Sequence, residues 1–281
     1  MRIAVIGSTG MFGSDLLSLL NVKGIESKGF NRQSIDLEQS AESLAIVFQG
    51  FDAVVNAVAF TAVDKAETEI YEANTVNGIY AGILSQASKI AGARFIHIST
   101  DYVFDGFSAS PYKVDETTKP QTEYGKSKAL GEQLVIESGS DYSILRTAWL
   151  YGANGRCFPK VIAELLRKNG NVSVVSDQIG QPTWTRDLAE LVLQVLQLPD
   201  MPKIVHATAS GQTSWAEFAK EVAQSIGLSS DSVIEISTVE FPTAAKRPAW
   251  SVLDNSSAEL TSIGDWRERW REAAPEVLRE I

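Results

Sequence analysis

The sequence predicts an α/β fold in which a doubly wound parallel sheet carries helices on both faces. Short apolar runs at 3–6, 51–58, 94–98 and 142–145 alternate with longer segments of helical periodicity. These runs are continuously apolar, so we expect both faces of each strand to be buried, as in a parallel sheet. Strands that alternate with helices in this way predict βαβ units with right-handed crossovers.

Helical periodicity defines the segments between and after these strands. The predicted helices lie at 11–20, 71–90, 123–136, 158–168, 186–196, 214–226 and 262–281. Ser214 is a predicted N-cap, with Glu217 placed to complete a capping box. The alternation loosens after about residue 150, but no linker or repeat separates the halves. We therefore expect the second half to pack on the first.

The amino-acid composition limits the classes of molecule that this protein is expected to bind. The 281 residues are 44% hydrophobic and 21% charged, as in ordinary globular proteins. The formal net charge is −10, and an acidic surface repels the phosphate backbone of nucleic acids. We therefore exclude nucleic acid as a partner, whereas a small phosphate-bearing ligand can still bind at a helix N-terminus.

Cysteine content and the lack of long apolar runs indicate the cellular compartment of the protein. The single cysteine, Cys157, cannot form an intrachain disulfide or a cysteine-rich zinc site, and we interpret it as a small packed side chain. No apolar run reaches the ~20 residues that a membrane-spanning helix needs. The first residues enter a strand pattern at once, without the apolar core of a signal peptide. We expect a cytoplasmic protein without membrane contact.

A glycine-rich loop, GSTGMFG at 7–13, follows the first strand and opens the first helix. Glycines there allow a tight turn, close approach to a pyrophosphate and close helix–strand packing. The helix N-terminus adds free N–H groups and a positive dipole end. The pattern predicts a dinucleotide site in a Rossmann-type fold. The predicted cofactor contacts in this loop are Gly7, Thr9, Gly10, Met11, Phe12 and Gly13.

The segment 24–30 is predicted as the strand that follows the first helix, and the residues at its end indicate which dinucleotide is used. NAD sites usually place a carboxylate there to bind the ribose hydroxyls. This chain instead has Asn31 and Arg32, and a guanidinium suits the 2′-phosphate of NADPH. We predict NADPH as the cofactor, with NADH as the alternative. The competing interpretation is that Arg32 is only a solvated surface residue.

These features divide the chain into two predicted regions. Residues 1–150 form the dinucleotide-binding domain, and residues 151–281 form mainly a smaller α/β region that binds the substrate. The helix near 185–197 is predicted to return to the first domain.

A Tyr-x-x-x-Lys pair lies at the start of a predicted helix. Tyr124 and Lys128 are four residues apart, so both side chains can face one ligand. A nearby ammonium is expected to lower the pKa of a phenol and make it a usable acid–base group. Thr100 ends a strand at the carboxyl edge of the sheet, where open α/β folds bind ligands. Together with a hydride carrier, these three catalytic candidates predict carbonyl reduction.

The chain resembles the extended short-chain dehydrogenases, and among them the dTDP-4-dehydrorhamnose reductases. The resemblance covers nearly the whole length. Its motifs are GSTGMFG at 7–13, VVNAVAFTAVDKAE at 54–67, STDYVFDG at 99–106, YGKSK at 124–128, RTAWLYG at 146–152, DQIGQPTWTRDLA at 177–189 and RPAWSVLD at 247–254. It implies NADPH-dependent reduction of a nucleotide-linked 4-keto-6-deoxy sugar, with dTDP-rhamnose as the expected product.

The resemblance also implies roles for individual residues. Thr100, Tyr124 and Lys128 match the family's catalytic set, and the last two also face the cofactor. The further cofactor contacts that it implies are Asp36, Leu37, Ala57, Ala59 and Thr61. The implied substrate contacts are Thr100, Asp101, Tyr102, Phe104 and Trp149. Arg247 joins them as a candidate to bind the diphosphate, because a guanidinium forms strong paired hydrogen bonds with phosphate.

The sequence departs from the family at two places, where Phe60 replaces a frequent His or Tyr and where 154–159 differs from the usual continuation. Some relatives bind Mg²⁺ through glutamates at a dimer contact. Those glutamates cannot be assigned securely in this sequence, so no metal ligand is predicted and the use of Mg²⁺ stays open. A homodimer is the candidate assembly. His97 and His206 are interpreted as core histidines.

Two other functions stay open at this stage. A sugar-nucleotide epimerase or dehydratase would use bound NAD within one cycle, but dehydratases typically carry an Asp-Glu pair after the Ser/Thr, and this chain has Asp101 and Tyr102 there. A non-catalytic regulatory subunit could keep the nucleotide pocket, because a fold does not fix a function. The intact Thr100, Tyr124 and Lys128 argue against that alternative.

Overall fold

The computed structural model describes residues 1–257 and 260–279. The strands are β1 (Arg2–Ile6), β2 (Glu26–Phe30), β3 (Ala53–Asn56), β4 (Arg94–Thr100), β5 (Tyr142–Thr147), β6 (Leu150–Tyr151), β7 (Val172–Val175), β8 (Ile179–Gly180), β9 (Thr183–Trp184), β10 (Ile204–His206), β11 (Thr213–Ser214) and β12 (Val233–Ile236). In the described ranges, six of these strands form one parallel sheet in the order β10-β5-β4-β3-β1-β2.

Helices connect and cover these strands. They are α1 (Met11–Val22), α2 (Ala41–Phe48), α3 (Val63–Ala66), α4 (Ile70–Asn74), α5 (Tyr80–Ala91), α6 (Glu123–Ser138), α7 (Phe158–Asn169), α8 (Thr185–Gln197), α9 (Trp215–Ser225) and α10 (Trp266–Val277). The helix predicted at 71–90 contains a π-helical turn at Thr75–Ile79 between α4 and α5. The tail forms α10, and the last two residues of the predicted 262–281 helix lie outside the described residues.

The sheet is buried on both faces, as the continuous apolar runs predicted. In β1, Ile3 and Val5 belong to one apolar cluster, whereas Ala4 and Ile6 belong to another. Successive side chains of a strand point to opposite faces, so these two clusters are the two layers of core between the sheet and its helices. The prediction of a doubly wound parallel sheet is confirmed.

One edge of the sheet collects the loops that carry the sequence motifs. Ile6 and Asn56 pair at the carboxyl ends of β1 and β3, and Thr100 pairs with Thr147 at the carboxyl ends of β4 and β5. Loops that follow these strands therefore open at the same edge, which is where open α/β sheets bind ligands.

The C-terminal half contributes to the sheet layer and also forms small ladders of its own. β10 pairs with β5 at the edge of the main sheet, and α8 packs beside α1, where the Asp15 carboxylate accepts a hydrogen bond from the Thr185 hydroxyl. The short ladders pair β6 with β9, β7 with β12, and β8 with β11. The domain boundary near residue 150 stays a prediction. Within the described chain, no helix has the length and apolar character needed to cross a membrane.

Candidate active site

The glycine loop forms a tight turn at the end of β1. Gly7 adopts a left-handed backbone with φ of 87°, and a Cβ there would fall 2.9 Å from the carbonyl carbon of Ala57. At Gly13 a Cβ would fall 2.3 Å from the carbonyl oxygen of Gly7. Any larger residue would therefore push α1 away from the turn. The two glycines hold the N-terminus of α1 close to the edge of the sheet.

A groove of about 740 Å³ opens beside this turn. It is lined by most of the predicted cofactor contacts: Gly7, Thr9, Gly10, Asn31, Arg32, Asp36, Leu37, Ala57 and Ala59. The sequence interpretation missed other lining residues: Ile6, Phe30, Gln33, Ile35, Glu38, Val58, Glu72, Val76 and Tyr80. Volumes of this size accommodate a cofactor. The groove therefore joins residues from β1, β2, the loop after β3, and the segment from α4 to α5.

Some predicted cofactor residues lie outside the lining of that groove. The Phe12 side chain is buried in the core beneath α1, and Gly13 packs against the turn. Only the backbone of Phe12 is therefore in a position to meet a ligand. Met11 is half-buried and Thr61 is exposed. Their cofactor roles stay predictions.

The three predicted catalytic residues come together at the carboxyl edge of β4. Thr100 ends that strand, and Tyr124 and Lys128 lie one turn apart at the start of α6. The Thr122 hydroxyl caps this helix by accepting a hydrogen bond from the Gly125 N–H at 3.0 Å. Tyr124 is hydrogen-bonded to Thr100, and its ring packs edge-on against Tyr102 with centroids 5.4 Å apart.

Burial dominates the protonation of Tyr124 and Lys128. It raises the pKa of the Tyr124 phenol to about 12, against the opposing effect of the hydrogen bond between Tyr124 and Thr100. It lowers the pKa of Lys128 to about 8, against the opposing charge of Glu132. The expectation of a lowered phenol pKa is wrong for this structure, because desolvation of the phenol outweighs other influences. The Lys128 ammonium instead donates to the carbonyl oxygen of Ile98 at 2.6 Å.

Asp101 is the buried acid of the site. Its Oδ1 accepts a hydrogen bond from the Thr100 hydroxyl at 2.8 Å. Burial raises the pKa of Asp101 to about 6, although hydrogen bonds from Ser251 and Thr100 oppose that rise. Since Thr100 gives its only proton to Asp101 in this arrangement, its oxygen is left as an acceptor for Tyr124 and for the Tyr102 N–H at 3.2 Å.

The predicted substrate contact Arg247 lies beside Tyr102 and is held by an ion pair. Its Nη2 is 2.5 Å from the Asp64 carboxylate, which also accepts from the Ala245 N–H. Arg247 and Tyr102 line a small cavity of about 20 Å³ together with Phe104. Phe104 itself is buried and stacks on Tyr112 with centroids 4.4 Å apart. The structure thus brings Tyr102 and Arg247 together, and places most of Phe104 in the interior.

Trp149 lies just beyond β5 in an unusual conformation. Its φ is 47°, a left-handed value that is rare for a bulky residue. The indole stacks on Trp215 with centroids 3.5 Å apart, and a Cβ at Gly180 would fall 2.4 Å from its Cε2 atom. The indole face that stacks on Trp215 is therefore open to a sugar only if Trp215 moves. Sequence reasoning did not identify Trp215 as a neighbour of Trp149.

Asn77 is another residue that sequence reasoning missed. It lies in the π-helical turn, and its amide accepts from the Phe60 N–H at 2.7 Å and donates to the Phe60 carbonyl at 3.1 Å. It also donates to the Ser127 hydroxyl at 2.8 Å. Asn77 thus ties the wall of the groove to the helix of Tyr124 and Lys128. An interrupted helix at a functional site is a recurrent feature, but periodicity alone does not reveal it.

Fold and site together define an extended short-chain dehydrogenase. The sequence model of the family described as RmlD substrate binding domain matches residues 1–281. The chain belongs to this family.

Individual relatives are similar in sequence to this chain over nearly its whole length. The spore coat polysaccharide biosynthesis protein SpsK of Bacillus subtilis is 38% identical, over 99% of this chain and 97% of the relative. A dTDP-4-dehydrorhamnose reductase of Burkholderia thailandensis is 37% identical, over 95% and 96%. The crystal structure of a dTDP-4-dehydrorhamnose reductase of Bacillus anthracis in complex with NADP superposes with a TM-score of 0.92 and 32% identity, covering 97% of this chain and 98% of that one.

Proposed function

We propose that this chain catalyses the NADPH-dependent reduction of dTDP-4-dehydrorhamnose to dTDP-rhamnose. The observation that carries the proposal is the meeting of Thr100, Tyr124 and Lys128 at the sheet edge that also bears the glycine-lined groove. The named reductases among the relatives support the choice of substrate.

The groove fits a nicotinamide dinucleotide. Gly7 and Gly13 let α1 begin close against the turn after β1, so a pyrophosphate can approach the backbone of Thr9 and Gly10 at the helix N-terminus. Ala57 and Ala59 form the opposite wall. When it is bound, the reduced cofactor supplies the hydride that the substrate carbonyl carbon accepts.

Tyr124 supplies the proton, and Thr100 and Lys128 position the reacting groups. Because the pKa of Tyr124 is raised to about 12, the phenol is protonated at neutral pH and can give its proton to the carbonyl oxygen as the hydride arrives. Proton transfer by a positioned group contributes about 10²–10⁴ in rate. Thr100 orients the phenol, and Lys128 holds the cofactor ribose one helical turn away.

Substrate contacts are assigned to the side chains beside Tyr124. Arg247 binds the diphosphate through charge-assisted hydrogen bonds, and Asp101 and Tyr102 contact the sugar. Phe104 supports this wall from the interior, and Trp149 covers the apolar side of the sugar ring once an indole face is freed.

NADPH is the proposed cofactor because Arg32 lines the groove beside Asn31. Asp36 and Glu38 line the same groove, so the discrimination between cofactors rests on the balance of one guanidinium against two carboxylates. Comparison of kcat/KM for NADPH and NADH tests the assignment, with Arg32→Ala expected to reduce only the NADPH value. A preference of about ten-fold or more for NADH contradicts it.

The reaction itself is tested with purified protein, NADPH and dTDP-4-dehydrorhamnose. We expect one NADPH oxidised for each dTDP-rhamnose formed. An epimerase or dehydratase would turn over without net NADPH consumption, and a regulatory subunit would bind NADPH without turnover. Either result rejects the reductase.

A further inference from the structure

His97 lies in the interior of β4, between the cofactor wall and the catalytic helix. It is completely buried. Its Nδ1 is 3.2 Å from the side-chain nitrogen of Asn56, its neighbour on β3. Its Nε2 is 3.5 Å from Lys128 Nζ. The histidine therefore joins Asn56, which binds the backbone of the groove-lining Val58, to the predicted catalytic residue Lys128.

The hydrogen bonds around Asn56 fix the tautomer of this imidazole. The Val58 N–H donates to Asn56 Oδ1 at 3.0 Å, so the amide oxygen faces the backbone and the amide NH₂ faces the histidine. The NH₂ group can only donate, and His97 Nδ1 must accept. Burial holds the pKa of His97 well below its usual range, and Lys128 lowers it further. In the neutral ring the single proton is therefore on Nε2, which faces Lys128.

An N–H at that position suits an uncharged amine and opposes an ammonium. A protonated lysine has three donors and no acceptor, whereas a neutral amine has a lone pair that can accept from Nε2–H. Lys128 is also almost fully buried, and burial of an ammonium without a carboxylate partner is costly.

The other groups that face Lys128 do not replace that partner. On β4 the Ile98 carbonyl oxygen accepts from Nζ at 2.6 Å. On α6, the charge of Glu132 raises the pKa of Lys128, but this carboxylate is engaged with Arg146 of β5 and with the Ser99 hydroxyl. Tyr124, also on α6, has a raised pKa and is uncharged at neutral pH. Of these neighbours, His97 alone presents a hydrogen-bond donor fixed by a second residue.

We propose that His97 is a positioning residue which Asn56 holds in the Nε2–H tautomer, so that it presents a donor to Lys128 Nζ and favours the neutral amine. His97 thereby sets how readily the Tyr124–Lys128 pair takes up a proton. The consequence for catalysis rests on the proposed reductase function, but the tautomer and the proton affinity of Lys128 can be measured without substrate.

The tautomer is measured by ¹⁵N NMR of protein labelled at histidine. The chain has only two histidines, and His206→Gln assigns the signals. We expect His97 to show a protonated Nε2 and an unprotonated Nδ1 from about pH 6 to 9, the range around the ordinary histidine pKa. A protonated Nδ1 at neutral pH, in either the neutral ring or the imidazolium, overturns the proposal. This experiment needs no variant of the site.

The effect on Lys128 is tested by reversing the tautomer. In Asn56→Asp both carboxylate oxygens accept, so Nδ1 should become the protonated atom and Nε2 should accept from Lys128. The pKa of Lys128 is followed by NMR of ¹³Cε-labelled lysine, with the signal assigned by its loss in Lys128→Met. We expect the pKa to rise by about one unit or more.

A double variant separates the imidazole from the new negative charge. In Asn56→Asp/His97→Met, compared with His97→Met, only the charge acts on Lys128. We expect the pKa of Lys128 to rise less in this pair than it does when Asn56→Asp is made with His97 present, by about one unit. Equal rises overturn the role of His97, even if the protein reduces dTDP-4-dehydrorhamnose. Conversely, a confirmed tautomer and pKa effect in a protein without that turnover would reject the proposed reaction alone.

Discussion

The cofactor groove and the substrate side of the site are built in different ways. The groove lies at the ends of adjacent parallel strands, with glycines at its tight turn. On the substrate side, side chains are held by partners from distant segments. Trp149 stacks on Trp215, and Arg247 pairs with Asp64.

Because of this difference, we expect the cofactor and the substrate to bind in different ways. A groove built on the ends of sheet strands and a glycine turn keeps its shape whether or not a ligand is present, so binding requires little rearrangement. A side chain that already has a partner must exchange it, and the ligand competes with the internal contact. We therefore expect changes in the groove to alter its fit directly, and changes on the substrate side to alter a balance between two partners.

Tyr124→Phe breaks the site where the two sides meet and should have the largest effect. The phenylalanine ring keeps the packing against Tyr102 but has no proton to give, so kcat should fall by ~10² or more while NADPH affinity is kept. Steady-state kinetics and NADPH titration measure the two quantities.

Tyr142→Phe is the matched control for this variant. Tyr142 begins β5, at the opposite edge of the sheet from the site, and its replacement should leave kcat unchanged. Near-full activity of Tyr124→Phe would remove the phenol from the mechanism.

Gly13→Ala tests the cofactor side alone, with the next largest effect. Its Cβ would fall 2.3 Å from the Gly7 carbonyl oxygen, and relief of such overpacking typically costs 1–3 kcal/mol. We expect NADPH affinity to fall about ten-fold or more, as measured by fluorescence titration. Gly264→Ala, where the nearest atom is the flexible Arg269 side chain at 3.4 Å, should bind NADPH normally.

The same contrast explains what could be predicted from the sequence. The glycine loop, the strands and the Tyr124–Lys128 pair depend on local spacing, and periodicity and short motifs record spacing. The contacts of Trp149 with Trp215 and of Asp64 with Arg247 join residues 66 and 183 positions apart, and no local pattern encodes them. The direction of the Tyr124 pKa was missed for a related reason, because burial depends on the whole fold.

Asp64→Asn tests competition on the substrate side and should have the smallest effect, with a distinctive sign. If the Asp64 carboxylate competes with the diphosphate for Arg247, its neutralisation frees the guanidinium and removes a like charge from the path of the substrate. We expect KM for the nucleotide sugar to fall about two- to five-fold, as for the loss of one partly exposed ion pair, with kcat unchanged. Asp177→Asn, which changes an acid hydrogen-bonded to Thr238, controls for net charge. Arg247→Ala should raise KM instead, so an Asp64→Asn protein whose KM also rises would show that the ion pair builds the binding site rather than competing for it.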